Sequence, residues 1–137
     1  MRIYVDAAVH QWRGKLWCHL FTPDIRYLHA FAQQLGMRRE WFQDPRTANV
    51  SWPHFDLPAW RREQALGLGA IPLDRHQTVA MSRVVMNCFN GTHGTPDAID
   101  PLDAHRRRGS SRLPEIEQWL HDELRLLGLA EPTRQAA

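Results

Sequence analysis

The run Leu16-Trp17-Cys18-His19-Leu20-Phe21 leads straight into Thr22-Pro23-Asp24-Ile25, and the change of period at that junction decides the fold. Alternation predicts a strand with Leu16, Cys18 and Leu20 on one face and Trp17, His19 and Phe21 on the other. The residues that follow carry helix-start chemistry. Thr22 suits the cap, Pro23 the first helical position, and Asp24 the positive end of the helix dipole. Ile25, Leu28, Ala32 and Leu35 then recur at helical spacing, and Gly36 suits a C-terminal cap. A strand feeding directly into a helix predicts an α/β domain.

Working outward, Ile3 to Val5 reads as an earlier strand, joined to the first by residues 7–15. Arg39 to Gln43 is expected as a short strand carrying Trp41 and Phe42. Residues 44–53, with Pro45, Asn49 and Pro53, read as a loop. A second helix is expected from about Pro58 to Leu66, broken by Gly67 and Gly69 before a strand at Ala70 to Leu73. Asp74, with Gln77 three residues on, forms a capping-box pattern for a third helix reaching about Asn87. The expectation for residues 1–87 is therefore a small mixed sheet of about four strands with packed helices. Residues 88–113, rich in glycine, proline and arginine, read as a loop or linker. Residues 114–128 read as a C-terminal helix and residues 129–137 as a disordered tail.

Composition narrows the class. With 137 residues, 43% apolar and 23% charged, the chain fits one soluble domain. No apolar run approaches the roughly 20 residues that span a bilayer. The N-terminus enters a strand pattern with no signal-peptide core, so a cytoplasmic location without membrane contact is expected. Cys18 and Cys88 lack a CxxC partner, and Cys18, between Trp17 and His19, is expected to be a buried free thiol. Sixteen arginines accompany the single lysine, Lys15. Residues 1–84 hold 11 basic and 7 acidic side chains, whereas residues 85–137 hold 6 and 8. The first part therefore suits an anionic ligand, although it lacks the dense basic stripe of a duplex-DNA binder.

The chemistry-bearing residues gather at the ends of apolar runs. Asp6 follows Ile3-Tyr4-Val5, where α/β sheets place ligand-binding groups; a turn residue is the competing reading. His19 is either a site residue or a hydrogen-bonded interior histidine. His54 and Asp56, two apart in an extended segment, would point the same way about 7 Å apart, which suits two ligands of one metal or phosphate. Asp56 equally suits the cap of the second helix. Arg39 and Arg62 are candidate anion holders, with a plain salt bridge as the competing role for Arg62. Trp41 is a candidate for stacking and His29 for ligand contact, against packing roles for both. P-loop, GxGxxG, GxSxG and HExxH patterns are all missing from the sequence, which removes those enzyme classes.

The order Tyr4-Val5-Asp6, Cys18-His19, Leu28-His29-Ala30, Arg39, Trp41-Phe42-Gln43, His54-Phe55-Asp56, Arg62 and Leu68-Gly69-Ala70 resembles a family of short bacterial and phage proteins, domain of unknown function 4031. The resemblance covers residues 1 to about 80. Phe55 stands where that family usually has tyrosine, and residues 44–53 are longer than its usual loop. The resemblance implies no particular reaction.

The leading expectation is a small hydrolase acting on a phosphorylated or nucleotide-like ligand. Asp6, His19, His54 and Asp56 form its acid/base or metal-binding set, and a divalent metal is admitted as cofactor. The alternative is a non-catalytic module binding a nucleotide, nucleic acid or protein, of a phage or host-defence kind. A homo-oligomer is also admitted, because Trp119, Leu120 and Leu127 can bury within the chain or across subunits.

Overall fold

A computed structural model describes residues 1–131. The elements are β1 (Tyr4–Val5), β2 (His10–Trp12), β3 (Lys15–Phe21), α1 (Ile25–Gln34), β4 (Phe55–Pro58), α2 (Ala59–Gly67), β5 (Ile71–Pro72), α3 (Arg75–Asn90), α4 (Asp103–Arg107) and α5 (Leu113–Leu126). The sheet is mixed, as expected, and has five strands. β1 runs parallel to β5 and antiparallel to β3, which also pairs antiparallel with β2 and β4.

β3 organises everything else. On one edge it pairs with β4, placing His19 directly opposite Asp56. On the other edge it pairs first with β2 and then with β1. Here Val5 faces Leu20 and His10 faces Trp17, so four residues, Asp6 to Val9, oppose two, Cys18 and His19. This bulge lets the edge strand bend and re-aim its side chains. Arg13 (φ 49) and Gly14 (φ 72) make the left-handed two-residue turn that closes the β2–β3 hairpin.

The sheet separates two cores. Ile3, Val5, Cys18, Leu20, Phe55 and Leu57 point toward α1 and α2, where Leu28, Phe31 and Ala65 meet them. Tyr4 and Phe21 point the other way, against Met81 and Val84 of α3 and Ile116, Leu120 and Leu124 of α5. Glu123 of α5, buried beneath that second core, accepts hydrogen bonds from Arg2 (2.9 and 2.6 Å) and from the Tyr4 hydroxyl (2.5 Å). Burial and the Glu123 contact push the Tyr4 phenol well above its ordinary range, so it stays a donor.

Several local expectations change. Asp24, not Thr22, caps α1 by accepting the Tyr27 N–H; Thr22 is buried and its hydroxyl donates to the Arg2 carbonyl at 2.8 Å. Residues 39–41 form a 3-10 turn, not a strand, and the sheet gains only an isolated bridge between Gln43 and His54. Asp74 and Gln77 make the capping box of α3. That helix continues to Asn90, ended by Gly91 in the left-handed conformation.

The segment expected as a loop or linker holds α4 and packs inward through Leu102, Ala104 and His105. Asn87 explains how. Its side-chain amide donates to the Ile99 carbonyl and accepts the Ile99 N–H, both at 2.8 Å, in the manner of a strand partner. Leu129, at the start of the expected tail, packs on the second core, and residues 132–137 lie outside the described residues.

Candidate metal centre on the sheet face

The second core covers only part of its sheet face. Beyond Tyr4 and Phe21, alternation brings Asp6, His19 and Asp56 to that same face on three adjoining strands. The bulge gives Asp6 an unusual task. Its backbone carbonyl accepts Arg62 Nε at 2.7 Å, so its carboxylate replaces that carbonyl as the partner of β3. Oδ1 accepts the His19 backbone N–H at 2.6 Å and Oδ2 meets His19 Nδ1 at 2.7 Å. A carboxylate has only lone pairs, so Nδ1 is the protonated nitrogen and Nε2 is left as a base or ligand.

His54 is fixed in the same sense. It is 5% exposed, and its Nδ1 lies 2.9 Å from the Trp52 carbonyl, another acceptor. Its Nε2 is 3.3 Å from Asp56 Oδ1. A neutral His54 thus turns a lone pair toward a carboxylate. Two acceptors at that separation require a proton or a cation between them.

His19, His54 and Asp56 each offer a ligating atom within 4.8 Å of the others. One proton would satisfy one pair of these atoms, whereas one metal ion would satisfy all three. Burial works to raise the Asp56 carboxyl; with the histidines protonated, the hydrogen bond from His54 and the charges of His54, His19 and His10 outweigh it. Asp56 is therefore held below the usual carboxylate range and is ionised at neutral pH. It does not cap α2, whose N-cap is Pro58 with no side-chain bond, so the carboxylate is available to the site.

Trp52 forms one wall, with its ring 5.2 Å from His19 and 4.7 Å from His54, backed by Phe21 at 4.8 Å. His10 stands on the opposite side. Its ring lies 4.7 Å from His19 and its Nε2 4.0 Å from Asp6 Oδ2. Asp6, His10 and His19 form a second set of three ligating atoms within 4.8 Å. The sequence reading missed His10. Its signal is the short hairpin register, which places His10 opposite Trp17 and diagonal to His19.

The other expected site residues are placed elsewhere. His29 packs edge-on against Phe42 (4.7 Å) and Phe55 (5.6 Å), behind the sheet; burial and the neighbouring Arg39 lower its pKa. Trp41 lies beside Arg61, whose guanidinium donates to the Leu35 carbonyl at the end of α1. Arg62 approaches from α2 and supports the backbone of Asp6. The structure thus joins Asp6, His19, His54 and Asp56, and leaves His29, Arg39 and Trp41 on the α1 side.

A family model described as "Protein of unknown function (DUF4031)" matches residues 3–85. The chain belongs to the DUF4031 family. No curated protein and no solved structure matches it. The DUF4031 segment includes all five strands and every residue of the cluster, His10 and Trp52 among them. α4 and α5 fall outside it.

Proposed function

We propose that this protein is a cytoplasmic, metal-dependent hydrolase of phosphate esters, with a nucleotide-like ligand as substrate. The observation that carries the reading is the pair of histidines with Nδ1 tied to an acceptor, grouped with Asp56 so that each of the three offers a ligating atom within 4.8 Å of the others. Catalytic metal sites use this composition: two imidazoles and one carboxylate, open coordination positions, and outer partners that orient each ring. In this reading Asp6 and the Trp52 carbonyl are the outer partners.

His19, His54 and Asp56 would hold the metal, which would supply an activated water and a Lewis acid for a phosphoryl oxygen. His10, whose side chain is 54% exposed, stands at the rim, where it can pass a proton to the leaving oxygen. Arg62 acts from behind, its Nε donating to the Asp6 carbonyl and so fixing the residue that orients His19. The two free cysteines suit a reducing compartment.

The test is hydrolysis of bis(p-nitrophenyl) phosphate by purified protein, stripped with chelator and reloaded with Zn²⁺, Mn²⁺ or Co²⁺. Activity is expected only after reloading, with His54→Ala and Asp56→Ala inactive. Full activity in chelator, or wild-type activity in both variants, would overturn the reading.

A further inference from the structure

The face that holds the cluster continues outward along the β2–β3 hairpin, and its outer residues are aromatic and basic. Lys15, Trp17 and His19 alternate on one face of β3; Trp12 lies opposite Lys15 and His10 opposite Trp17. Trp12 is 56% exposed; its ring meets Trp17 edge-on at 5.4 Å and carries the Arg13 guanidinium over it at 4.4 Å. Trp17 Nε1 donates to the Trp12 carbonyl at 2.9 Å, which fixes one indole against the other's backbone. Arg13 adopts φ 49, a conformation that L residues other than asparagine and aspartate seldom take. Trp12 thus keeps more than half of its surface open while Trp17, Arg13 and Lys15 surround it, an aromatic and basic patch rather than a single exposed ring.

We propose that this hairpin is the docking arm for a single strand of nucleic acid, delivering one of its phosphodiesters to the metal centre. The proposal rests on the hydrolase reading for its catalytic end, but its binding end stands on separate residues. Every base has a face that can stack on an indole, and Arg13 and Lys15 supply positive charge for the backbone beside it. Lys15, level with Trp12, is four strand positions from His19, about 13 Å away. A lone nucleotide stacked on Trp12 leaves its phosphate short of His19, whereas a strand reaches both. Duplex fits poorly, because its bases are already stacked and the arm offers only two formal cations.

Fluorescence anisotropy with a labelled oligothymidylate, in chelator so that no cleavage occurs, tests the arm directly. Wild-type protein is expected to bind the oligonucleotide better than a duplex of equal length. Trp12→Ala should weaken binding about tenfold. Arg13→Ala with Lys15→Ala should reduce the slope of log affinity against log salt by about 1. All these variants should keep a urea-unfolding midpoint close to the wild-type one, which shows that they fold, and should still hydrolyse bis(p-nitrophenyl) phosphate at the wild-type rate.

Three results would each overturn the arm: no oligonucleotide binding by wild type, unchanged binding in Trp12→Ala, or a preference for duplex. None of them affects the hydrolase reading if the small diester is still cleaved. Conversely, Trp12-dependent binding without any metal-dependent cleavage would support the arm and remove the hydrolase.

Discussion

Asp6 holds His19 at two points, the backbone N–H at 2.6 Å and ring Nδ1 at 2.7 Å, so one carboxylate sets both the strand register and the imidazole tautomer. Asp6→Asn keeps an oxygen for the backbone contact but loses the charge on the ring. Folding should survive, while metal affinity falls about 10–100-fold. Cobalt titration followed by its visible absorption measures this; unchanged affinity would remove Asp6 from the outer shell.

Breaking the Glu123 network should destabilise the protein without touching the site. Glu123→Ala leaves the Tyr4 hydroxyl and a one-third-exposed Arg2 without their partner. The expected loss is about 2–3 kcal/mol in urea unfolding. Zinc affinity of the folded protein should be unchanged.

His105 supplies a pH dependence of stability. It is 5% exposed, its Nδ1 has no hydrogen-bond partner, and its Nε2 lies 3.3 Å from His76 Nδ1. Burial, then the charges of His76, Arg83, Arg108 and Arg112, lower its pKa in the folded state. As pH falls through about 6.5 the unfolded chain takes up the proton first. Stability from this group is therefore complete above that pH and is lost as pH drops toward the folded value. Urea midpoints between pH 7.5 and 5 should fall less steeply in His105→Gln than in wild type.

The Cys18 thiol should be inert. It is fully buried, and burial together with the Asp6 charge pushes its pKa up to about 12. A disulfide reagent at pH 7.5 should label it only after denaturation. Fast labelling of Cys18 in the native protein would contradict the packing of the first core.

The strand-to-helix junction at residues 16–25 was legible because its signals are local: alternation on one side of Thr22 and caps on the other. The capping box at Asp74 was legible for the same reason. The hairpin was not, because Arg13-Gly14 lacks the asparagine or aspartate usual in such turns and β2 has only three residues. His10 was lost with it. Asp56 showed two compatible chemistries in sequence, cap and ligand, and only the start of α2 after Pro58 separates them. His29 and Arg62 needed knowledge of which side of the sheet each helix covers, which no local pattern carries. The order of residues 88–113 depends on Asn87 reaching Ile99, a contact made across a turn of chain.

The two-sided sheet has a consequence for the matched segment. Tyr4 and Phe21, beside the histidines, are covered by α3 and by α5; the α3 residues that meet them lie within that segment, whereas α5 lies wholly beyond it. A chain carrying that segment alone would keep the α3 side of this cover and lose the α5 side, baring apolar surface next to a polar centre. The chemistry of the site and half of its roof are thus written in different stretches of the chain.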